Sequence, residues 1–325
     1  MMKRSVIVRK GCLFVALGCI FPALSFADIG VDNTQGPGAY QDSVLNVDAD
    51  ISKQLNFEAG YEQSTSSAST SSDLTKTYTA DLTIKNIGHY AFGLSGSNSP
   101  EVNDAKSAGF GLNFSYNSAT SEADDVDSDT DTASDKDVEP ENFTWGYSLA
   151  YNVNTLSEYI DYNTYQKRLA KNGKVKLLAV DHSDWYALKQ TLFDPSLTCS
   201  IFQLFDLNLG YSMYSYDKDV SLFSQRLAKL SGLKGVKNAN FGDTTSVIDG
   251  FPDYIACAGI AVSPLECLKL EYGWSRTVYV LDQPQEDSST FTLYYTIWST
   301  LQAKAAYNVL STQVVYTTLG LTWLW

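Results

Sequence analysis

Nowhere in its 325 residues does the sequence hold the roughly 20 uninterrupted apolar residues that a transmembrane helix requires. The longest apolar stretch, Gly11 to Leu24, is broken by Pro22. Histidine is almost absent, with His89 and His182 only, and the five cysteines show no CxxC or Cys/His spacing of the kind zinc needs. Basic side chains are few, 23 Lys and Arg against 37 Asp and Glu, for a net charge of -14. That balance excludes a nucleic-acid partner, which needs a basic face. Mean hydropathy is -0.16, far from that of a helical membrane protein.

What is present begins at the N-terminus. Lys3, Arg4, Arg9 and Lys10 precede the short apolar stretch, and Ser25-Phe26-Ala27 follows it. This is the plan of a secretory signal peptide over residues 1–27, cleaved after Ala27. Removing its four basic residues takes the mature chain from -14 to -18. Cys19 sits in a poor lipoprotein box, Ala16-Leu17-Gly18-Cys19, an alternative site of processing. Cleavage leaves Cys199, Cys257 and Cys267, an odd number, so at least one thiol is free or pairs with another chain. A turn near Pro264 opposes Cys257 to a position near Glu271, which argues against a Cys257–Cys267 disulfide.

Residues 28–42, with Gly36-Pro37-Gly38, have little periodicity and read as a linker or mouth segment. From residue 43 the pattern has period two. Leu45, Val47, Ala49 and Ile51 alternate with Asp48 and Asp50, and Leu55, Phe57, Ala59 and Tyr61 with Asn56, Glu58 and Glu62. The alternation recurs through Tyr78–Ile84, Phe110–Tyr116, Phe143–Tyr151, Leu207–Met213, Leu268–Trp274 and Phe291–Ile297. Aromatics gather at segment ends, and many segments run about ten residues, enough for a tilted strand to cross a bilayer. Tyrosine is abundant, at 21 residues.

The chain ends Thr318-Leu319-Gly320-Leu321-Thr322-Trp323-Leu324-Trp325. Leu319, Leu321, Trp323 and Trp325 share one face, with aromatics at its tip. The stretch resembles the C-terminal assembly signal of Gram-negative outer-membrane β-barrels, with Thr318, Gly320, Trp323 and Trp325 in its slots. It departs in ending on tryptophan rather than phenylalanine, and in placing apolar Leu324 on the inward face. The resemblance implies an all-β fold, a transmembrane antiparallel up-and-down β-barrel, over residues 43–325. About fourteen strands are expected, within twelve to sixteen, in a protein of the cell outer membrane. It also implies lipid and the outer-membrane assembly machinery as partners, with Gly320, Trp323 and Trp325 as the assembly signal. The soluble rival is a β-sandwich whose last strand lies at an edge.

Three similar segments, at Leu55, Leu207 and Leu268, each follow a short turn and read as outbound strands. Lys174–Gln190 reads as one more strand or as part of a folded loop. Ser121–Glu141 carries ten carboxylates against Lys136 and is a solvated loop or a divalent-cation patch. It is no EF-hand, since Thr132 and Val138 occupy the positions that need Gly and Glu. Ser221 to Leu233 predicts a short helix that either folds into the lumen or lies on the mouth. Asp181-His182-Ser183-Asp184 shows no nucleophile and base in fixed geometry, so no enzyme and no cofactor are expected.

If the polar face points inward, Asp48, Asp50, Glu58, Glu62, Asp81, Lys85, Lys269 and Glu271 line a lumen, together with Asn208. That predicts a porin-like channel or uptake barrel for small solutes or a hydrophobic substrate. The alternative is a closed surface barrel, an adhesin or anchor, that works through its outer loops.

Overall fold

The computed structural model describes residues 27–37, 40–66, 73–102, 104–119, 143–169, 175–202, 204–223, 227 and 250–324. Residues 1–26 of the signal segment, Cys19 among them, the acidic run, Trp325 and most of the expected helix lie outside them.

Fourteen antiparallel strands follow in order: β1 (Ala27–Gln35), β2 (Gln41–Ser52), β3 (Leu55–Ser66), β4 (Asp73–Ile87), β5 (Tyr90–Val102), β6 (Ala105–Asn117) and β7 (Phe143–Leu169). Then come β8 (Val175–Ile201), β9 (Phe205–Tyr216), β10 (Pro252–Leu265), β11 (Leu268–Tyr279), β12 (Glu286–Trp298), β13 (Leu301–Leu310) and β14 (Val315–Trp323). Each pairs with its chain neighbours, and β1 pairs with β14 from Ile29↔Trp323 to Gln35↔Thr317, closing the barrel. Closure leaves no edge among the barrel walls, the condition a sheet must meet to stand in lipid.

The linker expected at residues 28–42 is therefore a correction. Asp28, Gly30, Asp32 and Thr34 alternate with Ile29 and Val31, and β1 is the strand that seals the barrel. Its alternation lasts too few residues to stand out beside Gly36-Pro37-Gly38. Of Lys174–Gln190, left between strand and loop, the described residues from Val175 onward belong to β8.

The outer wall is apolar. Leu209 is 55% exposed and Leu319 69%, values that only a lipid-facing residue sustains in such number. Where the strands reach the rim that carries the chain ends, rings touch in series. Tyr116 lies 5.3 Å from Tyr90, 5.0 Å from Trp145 and 5.5 Å from Tyr147. This is an aromatic girdle at the headgroup boundary.

The two rims differ. The rim with the chain ends carries tight turns at residues 53–54, 88–89, 266–267 and 299–300. Gly88, at φ 65°, makes one of them possible. The Leu55, Leu207 and Leu268 strands all leave this rim, as their similarity suggested. We call it the inner rim, because short turns face the periplasm in such barrels. The acidic run connects β6 and β7, whose ends lie at the inner rim. At the outer rim β7 and β8, of 27 residues each, rise past their neighbours as a two-stranded ribbon.

Candidate channel interior

The inner half of the lumen is polar. Four adjacent strands carry carboxylates at one height, through the pairs Asp28↔Asp48, Asp48↔Glu58 and Glu58↔Asp81. One step toward the inner rim, Asn56 donates to Asp48 Oδ1 at 2.5 Å and to Asp50 Oδ1 at 3.0 Å. Lys85 Nζ lies 3.0 Å from Asp50 Oδ1. Asn56 thus bridges two like charges and Lys85 offsets one of them. On the far wall Lys269 Nζ meets Glu271 Oε1 at 2.7 Å. Glu62 faces the same interior and is buried. Asp48, Asp50, Glu58, Glu62, Asp81, Lys85, Lys269 and Glu271 all lie on the side of the sheet away from the exposed apolar residues.

Inward residues that the sequence reading missed are Asp28, Asp32, Asp194, Asp206 and Lys304. Asp194 accepts from Ser212 Oγ at 2.8 Å and Asp206 from Ser200 Oγ at 2.7 Å. Lys304 lies in an Ala-rich strand whose mild alternation hides it. Asp194 precedes Pro195, which masks the period locally. Asp28 and Asp32 were lost with β1.

The outer half is different. Hydroxyl pairs bridge neighbouring strands, Thr34 to Thr318 at 2.8 Å, Thr77 to Ser99 at 2.9 Å and Ser275 to Ser288 at 2.8 Å, all buried. Asn154 Nδ2 donates to Gln190 Oε1 at 2.9 Å, Gln190 Nε2 to the Tyr216 hydroxyl at 3.3 Å, and that hydroxyl to the Pro252 carbonyl at 2.9 Å. This chain of bonds ties both ends of the β9–β10 connection to the wall. Tyr40, in the turn after β1, packs edge-on to Tyr316 at 5.4 Å. Burial, and after it Asp42 and Glu62, push its phenol well above the ordinary range.

Above that polar belt lies an apolar plug. Asp219 caps the 3-10 turn Val220–Leu222 by accepting from the Ser221 N–H at 2.9 Å, and hydrogen bonding from the Ser221 side chain, with that N–H after it, holds its carboxyl below the usual range. The turn directs Val220, Phe223 and Leu227 onto Ala105, Leu156 and Leu188, with Phe251 completing the cluster. Leu156 and Leu188 project inward from β7 and β8, and both are 0% exposed, as is Leu227. Phe223 stacks on Tyr186 at 5.4 Å, and Phe251 meets Tyr216 edge-on at 5.6 Å. Of the two placements open for Ser221–Leu233, the described part enters the mouth.

His89 Nδ1 lies 3.0 Å from the Asn117 carbonyl in a rim turn. Asp181 to Asp184 stand on the ribbon, opposite Asn163 to Ile160. Cys199, Cys257 and Cys267 are free thiols. Cys257 opposes Ser275 rather than the expected position near Glu271, because the turn falls at Glu266-Cys267. Among the described residues no group of three or more His, Cys, Asp or Glu is placed to hold a metal ion. Of the assembly-signal residues, Trp323 is exposed on the outer wall and Gly320 lies on the inner face.

A closed barrel with an apolar outer wall, an aromatic girdle and a polar interior is a transmembrane β-barrel of the outer membrane, and its architecture is porin-like. No known protein family matches the chain, and no curated protein matches it. Among solved structures it is similar to the KdgM porin, with 6% identity and a TM-score of 0.40, covering 92% of this chain and 99% of that one. It is similar to the outer membrane protein Omp33 of Acinetobacter baumannii at 5% identity and 0.40, covering 92% and 98%. It is also similar to the CymD monoaromatic hydrocarbon channel at 8% identity and 0.43, covering 92% and 88%. Values this low leave the assignment to the barrel's own walls and rims.

Proposed function

We propose that the protein is a gated uptake channel whose outer mouth is held shut by the apolar plug. The observation that carries this reading is the seating of Val220, Phe223 and Leu227 on lumen-facing Leu156 and Leu188, above an interior lined with carboxylates. A purely structural barrel needs no charged inner half. Burying three or four such side chains contributes roughly 1.5–3 kcal/mol each. That is enough to hold the mouth shut. Small solutes that tolerate an acidic wall are the expected cargo. A hydrophobic substrate would find its first apolar surface in the plug itself. The second reading, a closed anchor working through its outer face, is favoured by the ribbon of β7 and β8.

The test is solute flux. Proteoliposomes holding the wild-type barrel should swell slowly in a small neutral sugar, and those holding Leu227→Asp should swell quickly. Equal, slow swelling in both would favour the anchor.

A further inference from the structure

A trench of about 530 Å³ crosses the lipid-facing wall from β4 to β8. That is the size of a small-ligand pocket, roughly 300–1,000 Å³. Two rungs of outward side chains form its banks. Phe92, Phe114 and Leu149 stand side by side on the lower rung, and Leu94, Leu112, Tyr151 and Phe193 on the upper. Between the rungs Gly93, Asn113 and Ala150 turn to the lumen, so the floor is backbone.

The trench climbs as it crosses. Phe92 lies two residues from Tyr90, where β5 leaves the inner-rim turn, and Phe193 eight from Ile201, the inner end of β8. The difference of six residues is about 15 Å of height at a strand tilt of about 40°. One leaflet's hydrocarbon is about as deep. At the low end the lower bank runs into the aromatic girdle, with Phe114 5.7 Å from Tyr90 and 5.9 Å from Tyr147. Tyrosine hydroxyls and the Trp145 indole N–H are donors at the depth of lipid ester and phosphate oxygens.

We propose that the trench holds one acyl chain of a phospholipid from the leaflet at the inner rim, with its ester and phosphate oxygens among Tyr90, Tyr147 and Trp145 and its methyl end near Phe193. Inside a bilayer the hydrophobic effect does not distinguish protein from lipid tails, so packing decides what stays bound. A chain in the trench meets a floor and two banks, where a chain on plain wall meets one side, and the many small dispersion contacts add. Two raised banks suit a rod rather than the broad face of a second copy.

The experiment uses the full-length barrel in phosphatidylethanolamine vesicles with a trace of the same lipid carrying a diazirine, either at the end of one acyl chain or beside its ester. Leu94→Trp/Leu112→Trp fills the trench, and Leu270→Trp/Leu293→Trp, at exposed positions on the opposite wall, is the control. All three proteins must first show the same shift in migration between unboiled and boiled samples. After photolysis of the wild type, the chain-end probe should label the peptide with Phe193 at least fivefold more than the peptide with Leu293. The ester probe should favour the peptide with Tyr90 to the same degree. Filling the trench should abolish both preferences, and the control variant should keep them. Even labelling around the wild-type barrel overturns the proposal, and so does a preference that survives filling. Exchanged positions of the two probes would assign the trench to a lipid of the other leaflet, and a trench shielded from both probes to a second copy. Either result overturns it.

Discussion

Asp32 Oδ2 and Lys304 Nζ meet at 2.9 Å across the barrel's closing seam, directly over Gly320. Asp32 is on β1, Lys304 on β13, and β14 runs between them. Their side chains are only 14% and 8% exposed. A Cβ at position 320 would occupy the place of the Asp32 carboxylate. The glycine of the terminal stretch thus has a second reason to be there, independent of any recognition by assembly factors.

Breaking this pair from one side strands a charge. Asp32→Asn or Lys304→Met alone should destabilise the barrel by about 3–5 kcal/mol, and the double substitution by clearly less. The temperature at which the compact band converts to the slow band on gels reads this. Additive losses would show that the two charges do not depend on each other.

Gly320→Val should also lower that temperature, because the new side chain displaces Asp32 from Lys304. In the Asp32→Gly background the same substitution should cost much less. An equal cost in both backgrounds would place the role of Gly320 outside the seam.

Trp323 stands on the lipid face at the inner rim. Trp323→Asp should reduce the outer-membrane fraction and leave unassembled protein in the periplasm, measured by fractionation. Normal assembly of this variant would remove the terminal stretch as a recognition signal.

Lumen carboxylates should set ion preference. In the Leu227→Asp background the pore should prefer cations, and changing Asp48, Asp50 and Glu58 to the amides should weaken that preference. Deleting residues 124–137 should weaken it less, since salt screens that run within about 8 to 10 Å and its attachment lies at the periplasmic rim. Reversal potential across a salt gradient measures both, and a larger effect from the deletion would move selectivity to the periplasmic mouth.

Much of this barrel was legible in the chain because alternation is a property of single strands. Leu55 to Tyr61 declares its two faces without any partner, and so does Leu319 to Trp323. What was hidden depends on neighbours. β1 shows its role only when Ile29 lies against Trp323, and its seven-residue pattern is too short to speak alone. The rim from which the acidic run leaves was hidden because length and charge do not say how many strands precede it. The plug was left open because Phe223 and Leu227 have a helical spacing in either placement. Only the inward projection of Leu156 and Leu188, far away in sequence, decides between them.

The central claim is that the outer mouth is shut by side chains that can be moved. Single-channel conductance of the reconstituted barrel tests it most directly. Wild-type protein should be silent or show brief, rare openings, and Phe223→Asp/Leu227→Asp should give long-lived ohmic steps at the same protein density. Steady open steps from the wild type, or silence from the double variant with its heat-modifiable migration intact, would contradict the account.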